Sequence, residues 1–199
     1  YLVESDIFNV YINPNDGGTI FEIDFKPKSY NLLNTMTRWP EAYHASKKLA
    51  SKEVLVDRFK RSLFRLRFLY NDITIEEFQA DQYNELGDFT DANFRVTSSE
   101  KEGTTAIIEM EKKWNIKHPN SAVKTSVRVT KDVYIQGNEI EAVIRINFDD
   151  IPGNEEILDH IINKVNLAID IPFFFNGNPS KFQWDSKNLE LNDNGEKEL

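Results

Sequence analysis

The 199-residue sequence predicts an all-β fold, a large antiparallel β-sandwich with short helical connections. Three observations carry that expectation. Long runs such as 104–118 and 139–148 alternate apolar and polar residues with a period of two. Turn chemistry separates the runs, at Asp16-Gly17-Gly18 and again at Gly137-Asn138. The aromatic residues, 14 Phe, 7 Tyr and 3 Trp, are the bulky side chains that pleated sheets favour.

In chain order, residues 2–12 and 19–25 read as the first two strands. They flank Asn13-Pro14-Asn15-Asp16-Gly17-Gly18, where Pro14 fixes one φ angle and the glycines can take positive φ without a Cβ clash. In the second strand Phe21, Ile23 and Phe25 share one face, with Glu22 and Asp24 on the other. Lys26-Pro27-Lys28 ends it, because proline cannot donate to a central ladder. Residues 31–51 read as a long connection with a short helix after Pro40. Residues 62–70 return to strand, with Phe64, Leu66, Phe68 and Tyr70 inward and Arg65 and Arg67 on a solvated face. Thr74-Ile75-Glu76-Glu77 is a capping-box pattern that opens a short helix through Gln82. Leu86-Gly87-Asp88 then turns the chain.

From residue 92 a meander is expected. Strands at 92–97 and 104–118 flank a polar turn at 98–103, and the longer one places Ala106, Ile108, Met110, Trp114 and Ile116 on one face. Residues 121–135 repeat the alternation through Val123, Val127 and Val129, with a phase change at Lys131-Asp132 that suggests a bulge. Gly137-Asn138 leads into 139–148, where Ile140, Ala142, Ile144, Ile146 and Phe148 share a face. Pro152-Gly153-Asn154 interrupts the sheet and 155–162 reads as a helical turn. Residues 164–171 alternate once more, and the end of the chain is polar, with Leu189-Glu190-Leu191 as one further short strand.

Composition narrows the functions. Lys and Arg number 24 against 33 Asp and Glu, a net charge of −9, which argues against nucleic-acid and anionic-membrane partners. Without cysteine there is neither a disulfide nor a Cys-based zinc site; the compartment stays open, with the cytoplasm favoured. The most apolar run, 171–175, is far too short to span a bilayer and contains Pro172. The chain opens on Tyr1 in strand-like sequence and reads as a piece of something longer.

Candidate chemistry concentrates in one loop. His44, His118 and His160 are scattered and none has metal-ligand spacing. Glu76-Glu77, Asp149-Asp150 and Glu155-Glu156 are neighbours in a chain of 33 acids, and glycoside chemistry needs a carboxylate separation in space. Asn13, Asn15 and Asp16 offer clustered oxygens for calcium, yet these residues also spell a turn, and no metal or other cofactor is expected. Arg38, Trp39, Tyr43 and His44 crowd around Pro40. Trp and Tyr can stack on the apolar face of a pyranose while Arg and His donate to hydroxyls, so these four are the carbohydrate-contact candidates. No catalytic residue is assigned.

Residues 12–44, INPNDGGTIFEIDFKPKSYNLLNTMTRWPEAYH, closely resemble the start of the C-terminal β-domain of glycoside hydrolase family 57 α-amylases and 4-α-glucanotransferases. The resemblance is long and specific over the first quarter of the chain and thins beyond it. Asp57-Arg58-Phe59-Lys60-Arg61-Ser62 resembles the family's next segment, but the following LFRLRF lacks the acid-plus-histidine pattern the resemblance implies there. The resemblance implies a galactose mutarotase-like supersandwich over 1–199, excised from a longer enzyme whose catalytic carboxylates lie on an N-terminal barrel. It makes this chain a non-catalytic accessory domain whose partners are that barrel and α-1,4-glucan. Two other readings stand beside it, a free-standing carbohydrate-binding module and a self-contained enzyme of mutarotase or lyase type.

Overall fold

Ser5 divides the first β-rich run in two. Its hydroxyl oxygen accepts from the backbone N–H groups of Ile7 (3.2 Å) and Phe8 (2.9 Å), which offers the chain a turn in place of a continuing strand. The computed structural model describes residues 1–39, 57–80, 82–117, 124–149, 163 and 165–172. In it, the single strand expected over 2–12 is an antiparallel hairpin of β1 (Leu2–Glu4) and β2 (Phe8–Asn13). Beyond the glycine turn, β3 (Thr19–Phe25) pairs with β2, and the register shifts between Tyr11 and Ile12. Ile12 lies opposite Ile20 and Tyr11 opposite Glu22, which leaves Phe21 as the extra residue of a bulge. Ile20 and Ile23 therefore face the core, whereas Phe21 meets Tyr11 at 5.9 Å between ring centroids. The expected shared face of Phe21 and Ile23 is corrected by that bulge. A 3-10 turn at Lys26–Lys28 ends β3, and β4 (Tyr30–Asn31) completes a sheet of order β1-β2-β3-β4.

A kink then changes sheets. Leu63 exchanges backbone hydrogen bonds with Ile20 (2.8 and 3.1 Å), and Phe64 adopts a left-handed φ of 65°. β5 (Arg65–Tyr70) starts at once and pairs antiparallel with β10 (Val165–Asp170). Leu66 and Phe68 point into the core as expected, but Arg65 is 0% exposed, so its face is not solvated. The segments 57–62 and 83–90 cover it, as the hydrogen bonds of Arg65 and Arg67 show below. α1 (Ile75–Gln79) carries the expected capping box, with Thr74 and Glu77 bonded reciprocally, and ends at Gln79 short of Gln82.

β6 (Arg95–Glu102), β7 (Thr105–Lys117), β8 (Lys124–Gln136) and β9 (Glu139–Asp149) form the expected meander in sequential order. Residues 98–102, expected as turn, continue β6, and the turn shrinks to Gly103-Thr104. Gly137-Asn138 is the two-residue hairpin the sequence indicates. The bulge expected at Lys131-Asp132 does not form: β8 runs in unbroken register against both neighbours. Thr125, Val127, Val129, Lys131, Val133 and Ile135 all point inward and are buried, so the apparent phase change is a lysine in a core position.

Buried residues of β2 and β3 join those of β7, β8 and β9, together with Leu66 and Phe68 of β5, in one apolar cluster. Two four-stranded antiparallel sheets thus share a core as a sandwich, flanked by the β5–β10 ribbon. No helix among the described residues is long and apolar enough to cross a membrane. The helix expected after Pro40, the helical turn at 155–162, the strand at 189–191, His118 and His160 lie outside the described residues.

Candidate functional site

β5 and β10 bring together side chains that are far apart in sequence. Arg67 reaches across to Asp170, 103 residues away, in a bidentate pair at 3.1 and 2.8 Å. Its remaining Nη1 donates to Tyr83 Oη (2.5 Å) and Glu85 Oε1 (3.3 Å). Burial works against the Arg67 charge, but Asp170 and its neighbours outweigh it and raise the pKa further. Arg58 donates to Tyr83 O (3.2 Å) and Glu85 Oε1 (3.1 Å). Burial pushes the Glu85 carboxyl up, against the pull of Arg67 and Arg58, and Thr90 Oγ1 donates to its other oxygen.

A second group forms around Asp57. Arg38 grips it with Nε (3.2 Å) and Nη2 (2.5 Å), and the Arg38 backbone N–H adds a third donor at 2.7 Å. Arg61 approaches the same carboxylate with Nε (3.1 Å) and Nη2 (3.3 Å), while the Asp57 N–H returns to Arg38 O at 2.9 Å. Burial would raise Asp57, yet the bonds from Arg38 and Arg61 prevail and hold its pKa at about 2. Aromatic rings complete the walls. Phe59 lies under the guanidiniums of Arg58 (4.8 Å) and Arg67 (5.1 Å), and Phe78 stacks on Tyr83 at 5.2 Å. All of these residues except Glu85 and Thr90 line an open cleft of about 720 Å³, to which Gln79 contributes an amide and Ile169 an apolar edge.

Of the four residues singled out from sequence, Arg38 lines this cleft and Trp39, next in the chain, is 51% exposed. Tyr43 and His44 lie outside the described residues. The sequence reading did not bring Arg58, Arg67, Tyr83, Glu85 and Asp170 into the site. The available signal was LFRLRF itself, since two arginines on one face of a strand whose other face is core need carboxylates nearby once that face is covered. Two of the residues considered for calcium have partners within the protein. Asn13 Oδ1 accepts from Asn15 N–H (3.1 Å), and Asp16 Oδ2 accepts from Arg65 (2.9 Å). Among the described residues no three of His, Cys, Asp and Glu group as a metal site.

Residues 1–53 and 45–169 match the family described as Alpha-amylase/4-alpha-glucanotransferase, C-terminal. The chain belongs to that family. Alpha-amylase 1 of Dictyoglomus thermophilum is 48% identical over 52 residues, 26% of this chain and 8% of that protein. The alpha-amylase of Pyrococcus horikoshii is 25% identical over 134 residues, which cover 66% of this chain and 20% of the relative. The 4-alpha-glucanotransferase of Thermococcus kodakarensis is 24% identical over 170 residues, and 25% of its length is covered. The chain therefore spans a quarter or less of each of these relatives. The crystal structure of the Thermococcus litoralis 4-alpha-glucanotransferase shares the fold, with a TM-score of 0.63 at 24% identity over 75% of this chain and 22% of that one. The C-terminal family, expected from residues 12–44, is what the family match shows, and the all-β sandwich, expected from the alternating strands, is what the structure shows.

Proposed function

We propose that this chain is the non-catalytic C-terminal domain of an α-glucan-processing glycoside hydrolase or glucanotransferase. It packs on the catalytic barrel of the same polypeptide and walls part of the α-1,4-glucan cleft, with Arg38, Trp39, Tyr43 and His44 turned to sugar. The observation that carries this reading is the match to the C-terminal family over residues 1–53 and 45–169. The relatives' names, alpha-amylase and 4-alpha-glucanotransferase, supply the α-glucan.

The geometry around Arg38 supports the sugar-facing role. Its backbone N–H and C=O and its guanidinium are all tied to Asp57. Trp39 follows an anchored residue and keeps half its surface open, a preorganised apolar plane for a pyranose face. Two measurements test the reading. An immunoblot of the source cells should show a species several times larger than 23.2 kDa, and a band at 23.2 kDa overturns it. In that larger enzyme Trp39→Ala should raise KM for maltooligosaccharides about 3- to 10-fold, the worth of one stacking contact, and leave the melting temperature unchanged. An unchanged KM restricts Trp39 to packing.

A further inference from the structure

Among the described residues two arginines of the cleft, Arg38 and Arg61, share one carboxylate, in a chain whose overall charge is −9. That carboxylate is Asp57. Arg38 and Arg61 both spend Nε and Nη2 on that one carboxylate, and Nη1 of each takes no hydrogen bond among the described residues. Both side chains stay more than a third exposed, at 38% and 37%, on the wall of the cavity. Two guanidinium edges flanking a carboxylate that is already saturated are an arrangement that attracts a second anion.

Charge narrows the anion. A phosphate monoester carries close to two negative charges and three acceptor oxygens, so it matches two guanidinium charges where a carboxylate brings one. The cleft, at about 720 Å³, has the size of a small-molecule site and leaves space beyond a bare phosphate, bounded by the Phe78 ring and the Gln79 amide. Ring and amide are the surfaces a hexose uses. A neutral glucan would account for those surfaces and leave the second guanidinium at Asp57 without a purpose. We propose that this cleft binds a phosphate monoester carried on a sugar, with the phosphate bridging Arg38 and Arg61 and the hexose against Phe78 and Gln79. The sugar rests on the function proposed above; the phosphate rests on the guanidiniums alone.

Calorimetric titration of the intact polypeptide at low salt tests the site with four probes: glucose 6-phosphate, a phosphorylated maltodextrin, maltotetraose and inorganic phosphate. At least one ester should bind about tenfold or more tighter than maltotetraose, and the affinity should fall steeply as salt is added. If only the maltodextrin ester binds, the phosphate is borne on the glucan; if only glucose 6-phosphate binds, it is borne on a free hexose; either outcome upholds the site. Arg61→Gln, which leaves Asp57 held by Arg38, should cost about tenfold in ester affinity, the worth of a charge-assisted hydrogen bond. Inorganic phosphate binding as tightly as either ester, maltotetraose matching them, salt-independent affinity, or no ester binding each overturns the proposal. So does an Arg61→Gln protein that melts normally and binds the ester unchanged. The accessory-domain reading fails on polypeptide mass instead, so the two fail separately.

Discussion

Two clusters of cations adjoin across Phe59, and they are built on opposite principles. In the cleft, arginines meet carboxylates and keep part of their surface in water. Behind it, Arg65 and Lys131 are 0% and 1% exposed and each donates to two backbone carbonyls. Lys131 Nζ donates to Gly17 O (2.7 Å) and Phe64 O (2.6 Å), with its remaining side against the Phe94 ring at 4.8 Å. Arg65 donates to Thr90 O (2.6 Å), Lys60 O (3.2 Å) and Ser62 Oγ (3.4 Å), and meets one acid, Asp16. Both residues whose carbonyls hold Lys131 are left-handed, Gly17 at φ 72° and Phe64 at φ 65°. Lys131 therefore pins left-handed backbone and Arg65 the carbonyls of Lys60 and Thr90, while the arginines of the cleft hold carboxylates. Burial decides the role: in the interior a cation must satisfy carbonyls or raise the energy of the fold, and at the surface it is free to meet a ligand.

The harshest way to break the dry cluster is to push its backbone apart. A Cβ at Gly17 would stand 2.3 Å from Thr90 O, whereas one at Gly103, also left-handed, meets nothing within 4 Å. Gly103→Ala measures the conformational cost alone, about 1 kcal/mol. Gly17→Ala adds a clash with a backbone oxygen that Arg65 already holds, so about 4 kcal/mol is expected from urea denaturation. Equal costs at the two positions would mean that the loop yields, and that the two cations do not fix it.

Protonation probes the same contrast from within. Burial lowers the Lys131 pKa to about 7, with the charge of Arg65 acting in the same direction and Asp170 and Asp16 opposing it. The unfolded chain keeps that proton up to its ordinary value of 10.5, so between pH 7 and 10.5 the unfolded state binds more protons than the folded one. Stability should rise with pH across that window, by about 1 kcal/mol per unit, and Lys131→Met should flatten the rise. Asp57 behaves oppositely. Its folded pKa of about 2 lies below the ordinary 3.8, so its contribution is complete above that value and is lost as pH falls through 2. Because Arg38 and Arg61 are more than a third exposed, Asp57→Asn should cost only about 1 kcal/mol at pH 6, and should remove the acid-side loss. A larger cost at Asp57 than at Gly17 would reverse the assignment of which cluster supports the fold.

The contrast also explains what was legible in the sequence. Alternation along β7, β8 and β9 and the Gly137-Asn138 turn are local signals, and they place the meander correctly. Local pattern failed where a side chain broke the polarity rule for a distant reason. Lys131 looked like a bulge because its acceptors, Gly17 O and Phe64 O, lie 114 and 67 residues away. Arg65 looked solvated because the segments that bury it belong to other parts of the chain. Phe21 lost its expected face to a one-residue register shift that alternation cannot reveal. Of the residues singled out for sugar contact, Arg38 lines the cleft, and what singled it out was the crowding of aromatic and hydrogen-bonding residues in one loop. Asp170 could not be found, since its pairing with Arg67 exists only once β10 docks on β5.

The smallest expected effect separates cleft structure from core structure. α1 is one turn and a half, packs no buried residue, and brings Phe78 against Tyr83 and the Arg67 guanidinium. So short a helix has little intrinsic stability, and its capping box supplies much of what holds it. Thr74 Oγ1 accepts from Glu77 N–H at 3.1 Å, and the Glu77 carboxylate accepts from Thr74 N–H at 2.9 Å. Thr74→Ala removes the first bond and should cost about 0.5–1 kcal/mol locally. Because the core clusters lie elsewhere, the global denaturation midpoint should barely move, while amide exchange in residues 75–79 accelerates about 2- to 5-fold. Acceleration that spreads to β8 would show that the cleft wall and the Lys131 cluster unfold as one unit; confinement to α1 keeps them separate.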